Sequence, residues 1–187
     1  MPYSFRSEQW LPYPVDAVFA FFANPENLPA LMPPWQRVRI ERLTLVPPRG
    51  NGTQVPAKAA GAGSRIVLNM RVVPGIPIRV RWDAEIIEYE TNRHFTDRQV
   101  RGPFAFWQHN HHVRALDRNG PGVTVVTDEV NYEIPFSIFG HMAHALFLHQ
   151  QIEKIFAYRR ERIIDALARA TSTQPAASAA PQDTRAS

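Results

Sequence analysis

The sequence contains no cysteine among its 187 residues. This absence excludes disulfide bonds, a thiolate nucleophile and cysteine-ligated zinc or iron–sulfur sites. Long apolar runs are also missing, since no stretch approaches the ~20 residues that a membrane-spanning helix needs. The N-terminal segment lacks the basic and then apolar pattern of a secretory signal. We therefore expect a soluble, cytoplasmic protein without a transmembrane segment.

Lysine is scarce, because all but two of the 21 basic residues are arginine. With 17 acidic residues, the formal net charge is +4. Acidic residues lie among the densest basic patch, Arg159, Arg160 and Arg162, at helical spacings of three and four, which is typical of a solvated, ion-paired helix face. Nucleic-acid binding would require a basic stripe interleaved with exposed aromatic residues. We therefore expect no nucleic-acid partner, while transient contact with a membrane surface stays open.

Seven segments of alternating polarity predict β-strands. They are residues 3–11, 36–46, 64–73, 78–89, 93–100, 104–116 and 123–134. Most connections between them are short and contain Gly, Pro or Asn, which indicates antiparallel pairing, because parallel strands need long crossovers. The exception is residues 47–63, a stretch rich in Gly, Pro and Ala. It is predicted to be a mobile loop, either a passive insertion or a gate over a cavity.

Three segments predict helices. Pro14 suits the start of a helix over residues 15–24, and residues 25–31 can form a second, short one. Apolar residues at spacings of three and four predict a long C-terminal helix from residue 136 to about residue 169. Residues 172–187 are small, polar and interrupted by proline, so we expect a disordered tail after a single domain of residues 1–171. The order β-α-α-β-β-β-β-β-β-α predicts an α+β fold, in which a curved seven-stranded antiparallel sheet is wrapped around the C-terminal helix.

The strand over residues 104–116 carries the side chains most typical of a functional site. Trp107, His109 and His111 share one face, and the opposite face is polar, so these three are predicted to point inward. Asp128 and Tyr132 belong to the inner face of the neighbouring strand. A buried carboxylate needs a partner, and an imidazole is the obvious one for Asp128. A curved sheet covered by one helix leaves space, and such spaces bind small apolar molecules.

The segment from Asp97 to His111 reads Asp-x-Gln-x-x-Gly-Pro-Phe-x-x-Trp-x-His-x-His. It resembles the signature of a bacterial ligand-binding group in the START/polyketide-cyclase (SRPBCC) superfamily. The resemblance covers roughly residues 3–165, and it implies a helix-grip fold with a hydrophobic ligand cavity between the sheet and the terminal helix. Because the superfamily includes lipid carriers, plant-hormone receptors, aromatase/cyclases and oxygenase domains, the resemblance leaves the activity open. The long loop over residues 47–63 departs from the group's pattern.

Competing functions follow from this cavity. The first is a module that binds a hydrophobic or aromatic small molecule, lipid or polyketide-like. The second is a polyketide cyclase/dehydratase-type enzyme, with His109, His111 and Asp128 as candidate catalytic residues and one histidine as general base. A third is a domain that acts through a partner protein, with its cavity filled by side chains. The residues predicted to contact a ligand are Trp82, Asp97, Gln99, Trp107, His109, His111, Asp128, Tyr132, Phe139 and Met142.

The two histidines of this strand leave three interpretations open. They can form a structural network with Asp128, anchor a ligand, or bind a metal ion, since residues two apart on a strand lie on one face about 6.6 Å apart. The lack of a third patterned histidine weakens the metal interpretation, so no metal and no cofactor is expected. The chain is expected to be a monomer or a homodimer.

Overall fold

The computed structural model describes residues 3–49, 58–116, 122–135 and 147–172. Its strands are β1 (Tyr3–Leu11), β2 (Arg39–Thr44), β3 (Arg65–Arg71), β4 (Arg79–Glu90), β5 (His94–Arg101), β6 (Phe106–Leu116) and β7 (Val123–Glu133). Its helices are α1 (Val15–Ala23), α2 (Leu28–Leu31) and α3 (His149–Ser172), with short 3-10 helices at Pro25–Asn27 and Pro34–Gln36. None of the helices in these ranges is long and apolar enough to cross a membrane.

All seven strands form one antiparallel sheet in the order β1-β7-β6-β5-β4-β3-β2. This architecture confirms the predicted α+β helix-grip fold. β1 and β2 are the two edges, so α1 and α2 connect opposite edges of the sheet. The register of the β4–β5 pair shifts at Asp83/Ala84 and again at Ile86/Glu88. Such irregularities bend a strand and increase its twist, which favours a curved sheet that can enclose a volume.

Helix α3 supplies the apolar stripe that covers the sheet. It contacts α1, α2 and β1, and its buried face includes Ile152, Phe156, Ile163 and Leu167. The predicted helix begins earlier than this segment, and its part at residues 136–146 lies outside the described residues. The observed helix ends at Ser172, slightly beyond the predicted end near residue 169. The single-domain prediction stays a prediction, and so does the disordered tail, whose residues 173–187 are also outside the described ranges.

Two segments differ from the sequence prediction. The strand predicted from residue 36 begins at Arg39, because Pro33 and Pro34 favour a tight turn and Pro34–Gln36 forms a 3-10 helix followed by Arg37 in the left-handed region at φ 46°. The loop predicted over residues 47–63 is anchored at its C-terminal end. The Ala60 amide donates to the Ala23 carbonyl at 2.9 Å, which ties the end of this segment to α1. Residues 50–57 lie outside the described ranges, so the mobility of the loop and its role as a gate stay predictions.

Candidate functional site

A cavity of about 380 Å³ lies between the inner face of the sheet and the helices. This volume is within the range of small-molecule pockets, which begin at about 300 Å³. The core is divided into two clusters of buried side chains, one around α1, α2 and β3, and the other around β7 and the start of α3. Side chains of both clusters line the cavity. The interpretation in which side chains fill the space is therefore wrong.

One wall of the cavity is apolar, and we call it the apolar wall. It consists of inward side chains of β3 and β4, because alternate residues of a strand share a face. Its members are Ile66, Leu68, Met70, Ala84 and Ile86. These alternate positions of the two strands all face inward. Ile78, which continues the same alternation, precedes β4 and is 67% exposed.

An aromatic group closes one end of the apolar wall. The rings of Trp82 and Trp107 meet edge to face, with centroids 5.0 Å apart, and Phe104 lies 4.8 Å from Trp107. All three line the cavity. Tyr132 is fully buried and packs behind them, with its ring 5.8 Å from Phe104 and 6.0 Å from Trp107. Burial raises the pKa of Tyr132 to about 12, so its phenol stays neutral at physiological pH.

The adjoining strands of the same sheet hold four titratable side chains, Asp97, His109, His111 and Asp128, which we call the His–Asp cluster. Register explains the assembly: Asp97 on β5 is opposite His109 on β6, and His111 on β6 is opposite Asp128 on β7. His109 Nε2 lies 3.0 Å from Asp128 Oδ1, and His111 Nε2 lies 3.2 Å from Asp97 Oδ2. Asp97, His109 and His111 line the cavity, and Asp128 contacts both imidazoles from behind.

Each carboxylate of the His–Asp cluster approaches both imidazoles. The second contacts are His111 Nδ1 to Asp128 Oδ1 at 2.8 Å and His109 Nδ1 to Asp97 Oδ2 at 3.7 Å. The first of these is too poorly aligned to count as a hydrogen bond, so we treat it as a charge contact. The centroids of the imidazole rings lie 3.7 Å apart with the rings tilted by 40°, and Phe95 stacks against His111 at 4.3 Å. The predicted His–Asp network is therefore present, with Asp97 as an additional member.

The two histidines differ in their proton affinity. Burial and the neighbouring charge of His111 lower the pKa of His109 below its usual 6.5. Burial also acts to lower the pKa of His111, but the closeness of Asp128 and Asp97 outweighs this effect and raises it. For Asp128, burial is outweighed by the charge of Arg159 and by both imidazoles, which hold its pKa well below 3.8. The cluster therefore favours protonation of His111 over protonation of His109.

Arg159 is a site residue that the sequence interpretation placed in the wrong environment. It was predicted to lie on a solvated helix face, but it is only 8% exposed and lines the cavity. Its guanidinium carbon lies 5.0 Å from the centroid of the Phe156 ring. A signal was available, because Arg159 follows Phe156 by three residues and precedes Ile163 by four. It therefore belongs to the apolar stripe of α3 and not to its charged face.

Gln99, a further predicted ligand contact, engages the main chain of the turn. The side chain of Gln99 lies in the β5–β6 turn, where its Nε2 donates to the Phe104 carbonyl at 2.8 Å and its Oε1 accepts from the Phe104 amide at 3.4 Å. The side-chain amide of Gln99 is thus hydrogen-bonded to the main chain, and a contact between Gln99 and a ligand stays a prediction. Phe139 and Met142 lie outside the described residues. Sequence reasoning missed Gln36, a buried cavity residue whose Oε1 has no hydrogen bond within the described part of the chain.

A metal ion has one set of possible ligands within the described ranges. Donor atoms of Asp97, His109 and His111 lie within 4.8 Å of one another. Imidazole and carboxylate groups suit Zn²⁺. Binding would have to displace the proton that the carboxylates favour on His111 and would place the ion near the positive charge of Arg159. The donor set therefore fits a zinc ion by type, and its present contacts favour a proton-bearing network.

A family model described as polyketide cyclase / dehydrase and lipid transport matches residues 11–156. A search of the curated proteins found no match.

Solved structures share the fold at low sequence identity. The protein TTHA0849 from Thermus thermophilus aligns with a TM-score of 0.61 and 18% identity over 90% of this chain and 99% of that chain. A START superfamily protein from Mycobacterium smegmatis gives 0.61 and 10% identity over 89% and 98%. Norcoclaurine synthase from Thalictrum flavum, in complex with dopamine and hydroxybenzaldehyde, gives 0.54 and 15% identity over 88% of both chains. At these identities, the similarity establishes the fold alone.

Proposed function

The chain belongs to the polyketide cyclase/dehydrase and lipid transport family, and we propose that it binds a hydrophobic or aromatic small molecule, lipid or polyketide-like, in the cavity. The cavity carries this proposal, because about 380 Å³ of space bounded by apolar and aromatic side chains is costly to leave empty. The apolar wall and the rings of Trp82 and Trp107 would contact the body of the ligand. Asp97, His109 and His111 would meet a polar group on it.

Two features support a ligand over a passive void. The Gln36 Oε1 atom is buried without a hydrogen bond in the described part of the chain, and a buried acceptor in this state gains free energy from a donor on a ligand. The aromatic group presents two indole rings at right angles, which suits contacts with a flat ring as well as with an alkyl chain.

Blocking the cavity tests the proposal. Ala84 is a small residue of the apolar wall, so Ala84→Phe fills the space from inside. Val100 is 50% exposed on the neighbouring strand, and Val100→Phe adds the same bulk outside. We expect Ala84→Phe to weaken binding of a neutral fluorescent probe, Nile red, by at least tenfold, and Val100→Phe to leave it unchanged. Circular dichroism checks folding. Equal probe binding by both folded variants would contradict the proposal.

The second candidate is a cyclase/dehydratase-type enzyme, and the His–Asp cluster is the observation that favours it. A neutral His109 beside a protonated His111 provides a base and an acid on one cavity wall, and pairs whose pKa values are pushed apart are typical of acid–base sites. The test is turnover of polyketide-like substrates. In an enzyme, His109→Ala lowers turnover about 10²-fold while binding persists. In a carrier, no substrate turns over and the variant changes affinity alone.

Transient membrane contact, a monomeric or homodimeric state and a cytoplasmic location remain parts of the proposal. Exposed Ile76 and Ile78, between β3 and β4, support the membrane contact, because they follow Val72 and Val73 of the cavity lining. We expect Ile76→Ser with Ile78→Ser to lower flotation with phosphatidylcholine vesicles severalfold. Equal flotation of the parent chain and the double variant would rule out this segment.

A further inference from the structure

The three neighbouring arginines of α3 differ in their surroundings. Arg160 is exposed, and its main-chain carbonyl accepts from Gln9 Nε2 at 2.9 Å. Arg162 is exposed, and its Nε donates to the Tyr158 hydroxyl at 3.1 Å. Arg159 is buried. The difference is important because a guanidinium has five N–H donors, is always charged, and is rarely buried unless it is paired.

Arg159 has no hydrogen bond and no ion pair with any residue in the described part of the chain. Its nearest defined contact is the face of Phe156, and an aromatic face uses none of the N–H donors. Asp128 attracts it through space, but the close contacts of Asp128 are with His109 and His111. The guanidinium thus has its charge partly balanced and its hydrogen-bonding capacity unused, while the residue lines the cavity.

We propose that Arg159 is the anion-binding position of the cavity and that the natural ligand is a carboxylic acid with an apolar body, bound through its carboxylate. This inference rests on the proposed ligand-binding function and names the class of ligand. A carboxylate fits a guanidinium through two parallel hydrogen bonds. The apolar wall then takes the alkyl or aryl body of the acid.

The composition of the cavity favours a carboxylate over a phosphate. Arg159 is the single arginine or lysine among the described residues that line the cavity, and Asp97 contributes a negative charge. A phosphate group carries close to two negative charges at neutral pH, so one guanidinium would leave it uncompensated beside two aspartates. A carboxylate carries one charge and matches one guanidinium.

Matched probe pairs test the proposal. Dodecanoic acid and dodecan-1-ol have the same chain and differ in the charged end, and naphthalene-2-carboxylic acid and its methyl ester form the aromatic pair. Each competes with neutral Nile red at pH 7.5. We expect at least one acid to bind tenfold or more tightly than its neutral counterpart. Arg159→Met keeps the length and apolar contacts of the side chain, and it should abolish this preference while the neutral compounds still bind.

Two controls separate the role of Arg159 from general effects. Arg160→Met removes a neighbouring exposed arginine and should leave the acid preference unchanged. Arg159→Lys keeps the charge without the two-point geometry and should retain a smaller preference. If the folded wild-type chain binds acid and neutral compounds equally, or if Arg159→Met weakens both equally, the inference is overturned and the proposed function stands. If no compound of either kind displaces Nile red, both are overturned.

Discussion

The apolar wall and the His–Asp cluster of the cavity differ in the groups that they bury. The apolar wall on β3 and β4 has no polar group to satisfy, and its side chains lose contacts where the cavity begins. The His–Asp cluster on β5, β6 and β7 buries four titratable groups, and one oxygen of each carboxylate approaches both imidazoles. The comparison shows that the cluster is internally paired and that Arg159, opposite it on α3, is the group with unused donors. We therefore expect stability to depend on the cluster and, under the proposed function, ligand selectivity to depend on Arg159.

The largest expected effect on stability comes from a substitution in the His–Asp cluster. Asp128→Asn removes the carboxylate that contacts both imidazoles, so the buried charge of Arg159 loses its nearby counterion and His111 keeps Asp97 alone. We expect the free energy of unfolding to fall by about 3–5 kcal/mol, measured by urea denaturation. Glu129→Gln on the same strand removes an exposed ion pair with Arg6 and should cost at most about 1 kcal/mol. Similar losses in both variants would contradict the role of the cluster.

The apolar wall and the filled core should respond differently to the same truncation. Leu167 is fully buried in α3, and Leu167→Ala creates a new void that should cost about 4 kcal/mol of unfolding free energy. Leu68 already borders the cavity, and Leu68→Ala should cost about 2 kcal/mol because fewer contacts are lost. The two Ala variants are compared by urea denaturation. Equal losses would mean that the space beside Leu68 is packed in solution.

The turn that carries Phe104 into the aromatic group depends on a glycine. A Cβ atom on Gly102 would collide with the Gln99 side chain, which holds the turn through two contacts with Phe104. We expect Gly102→Ala to cost about 1–2 kcal/mol in thermal or urea unfolding, since Gln99 must leave the turn. In a Gln99→Ala background the same change should cost less than about 0.5 kcal/mol. Additive losses would show that Gln99 is not the obstacle.

The smallest effects are in the pH dependence of stability. The raised pKa of His111 contributes stability that is fully present below the unfolded value of about 6.5 and is lost as pH rises through the folded pKa. The lowered pKa of His109 has the opposite sign, so stability falls as pH drops below 6.5 towards its folded pKa. The lowered pKa of Asp128 adds stability that is lost further into the acid range, below about 3.8.

Substitution separates these slopes. In urea denaturation between pH 5 and 9, His111→Gln should flatten the alkaline loss of stability, and His109→Gln should flatten the acid loss. Because the neighbouring rings titrate as a pair, each variant also moves the transition of the remaining histidine. Parallel pH profiles for wild-type and both variants would contradict the assignment.

The fold and much of the site could be predicted from the sequence, because the alternation of polar and apolar residues along a strand is a local property. The inward direction of Trp107, His109 and His111 follows from the polarity of one strand, and β1 was predicted with its observed bounds. The direction of Asp97 was not settled by pattern alone, because two register shifts in the β4–β5 pair interrupt the alternation that relates these strands. The pairing register between two strands is a non-local property, so it cannot be predicted from the polarity pattern of one strand.

Arg159 shows a different limit. Two local signals disagree at this residue: acidic neighbours at helical spacing indicate a solvated face, and the apolar spacing from Phe156 to Ile163 indicates a buried one. Arg159 is buried because the apolar stripe of α3, to which it belongs, packs against α1, α2 and β1. When a charged residue belongs to both an apolar stripe and a charged patch, its place in the apolar stripe is therefore the better guide to its burial.

The His–Asp cluster draws its members from three adjacent strands that are paired without an irregularity between β5 and β6 or between β6 and β7. A slip of β6 by a single residue would turn both imidazoles to the outer face and leave two carboxylates alone in the interior. A shifted register is therefore destabilised by the two buried aspartates, which belong to the same cluster that lies at the cavity. The cluster consequently favours the native register of these strands, and this register alone brings the four side chains together.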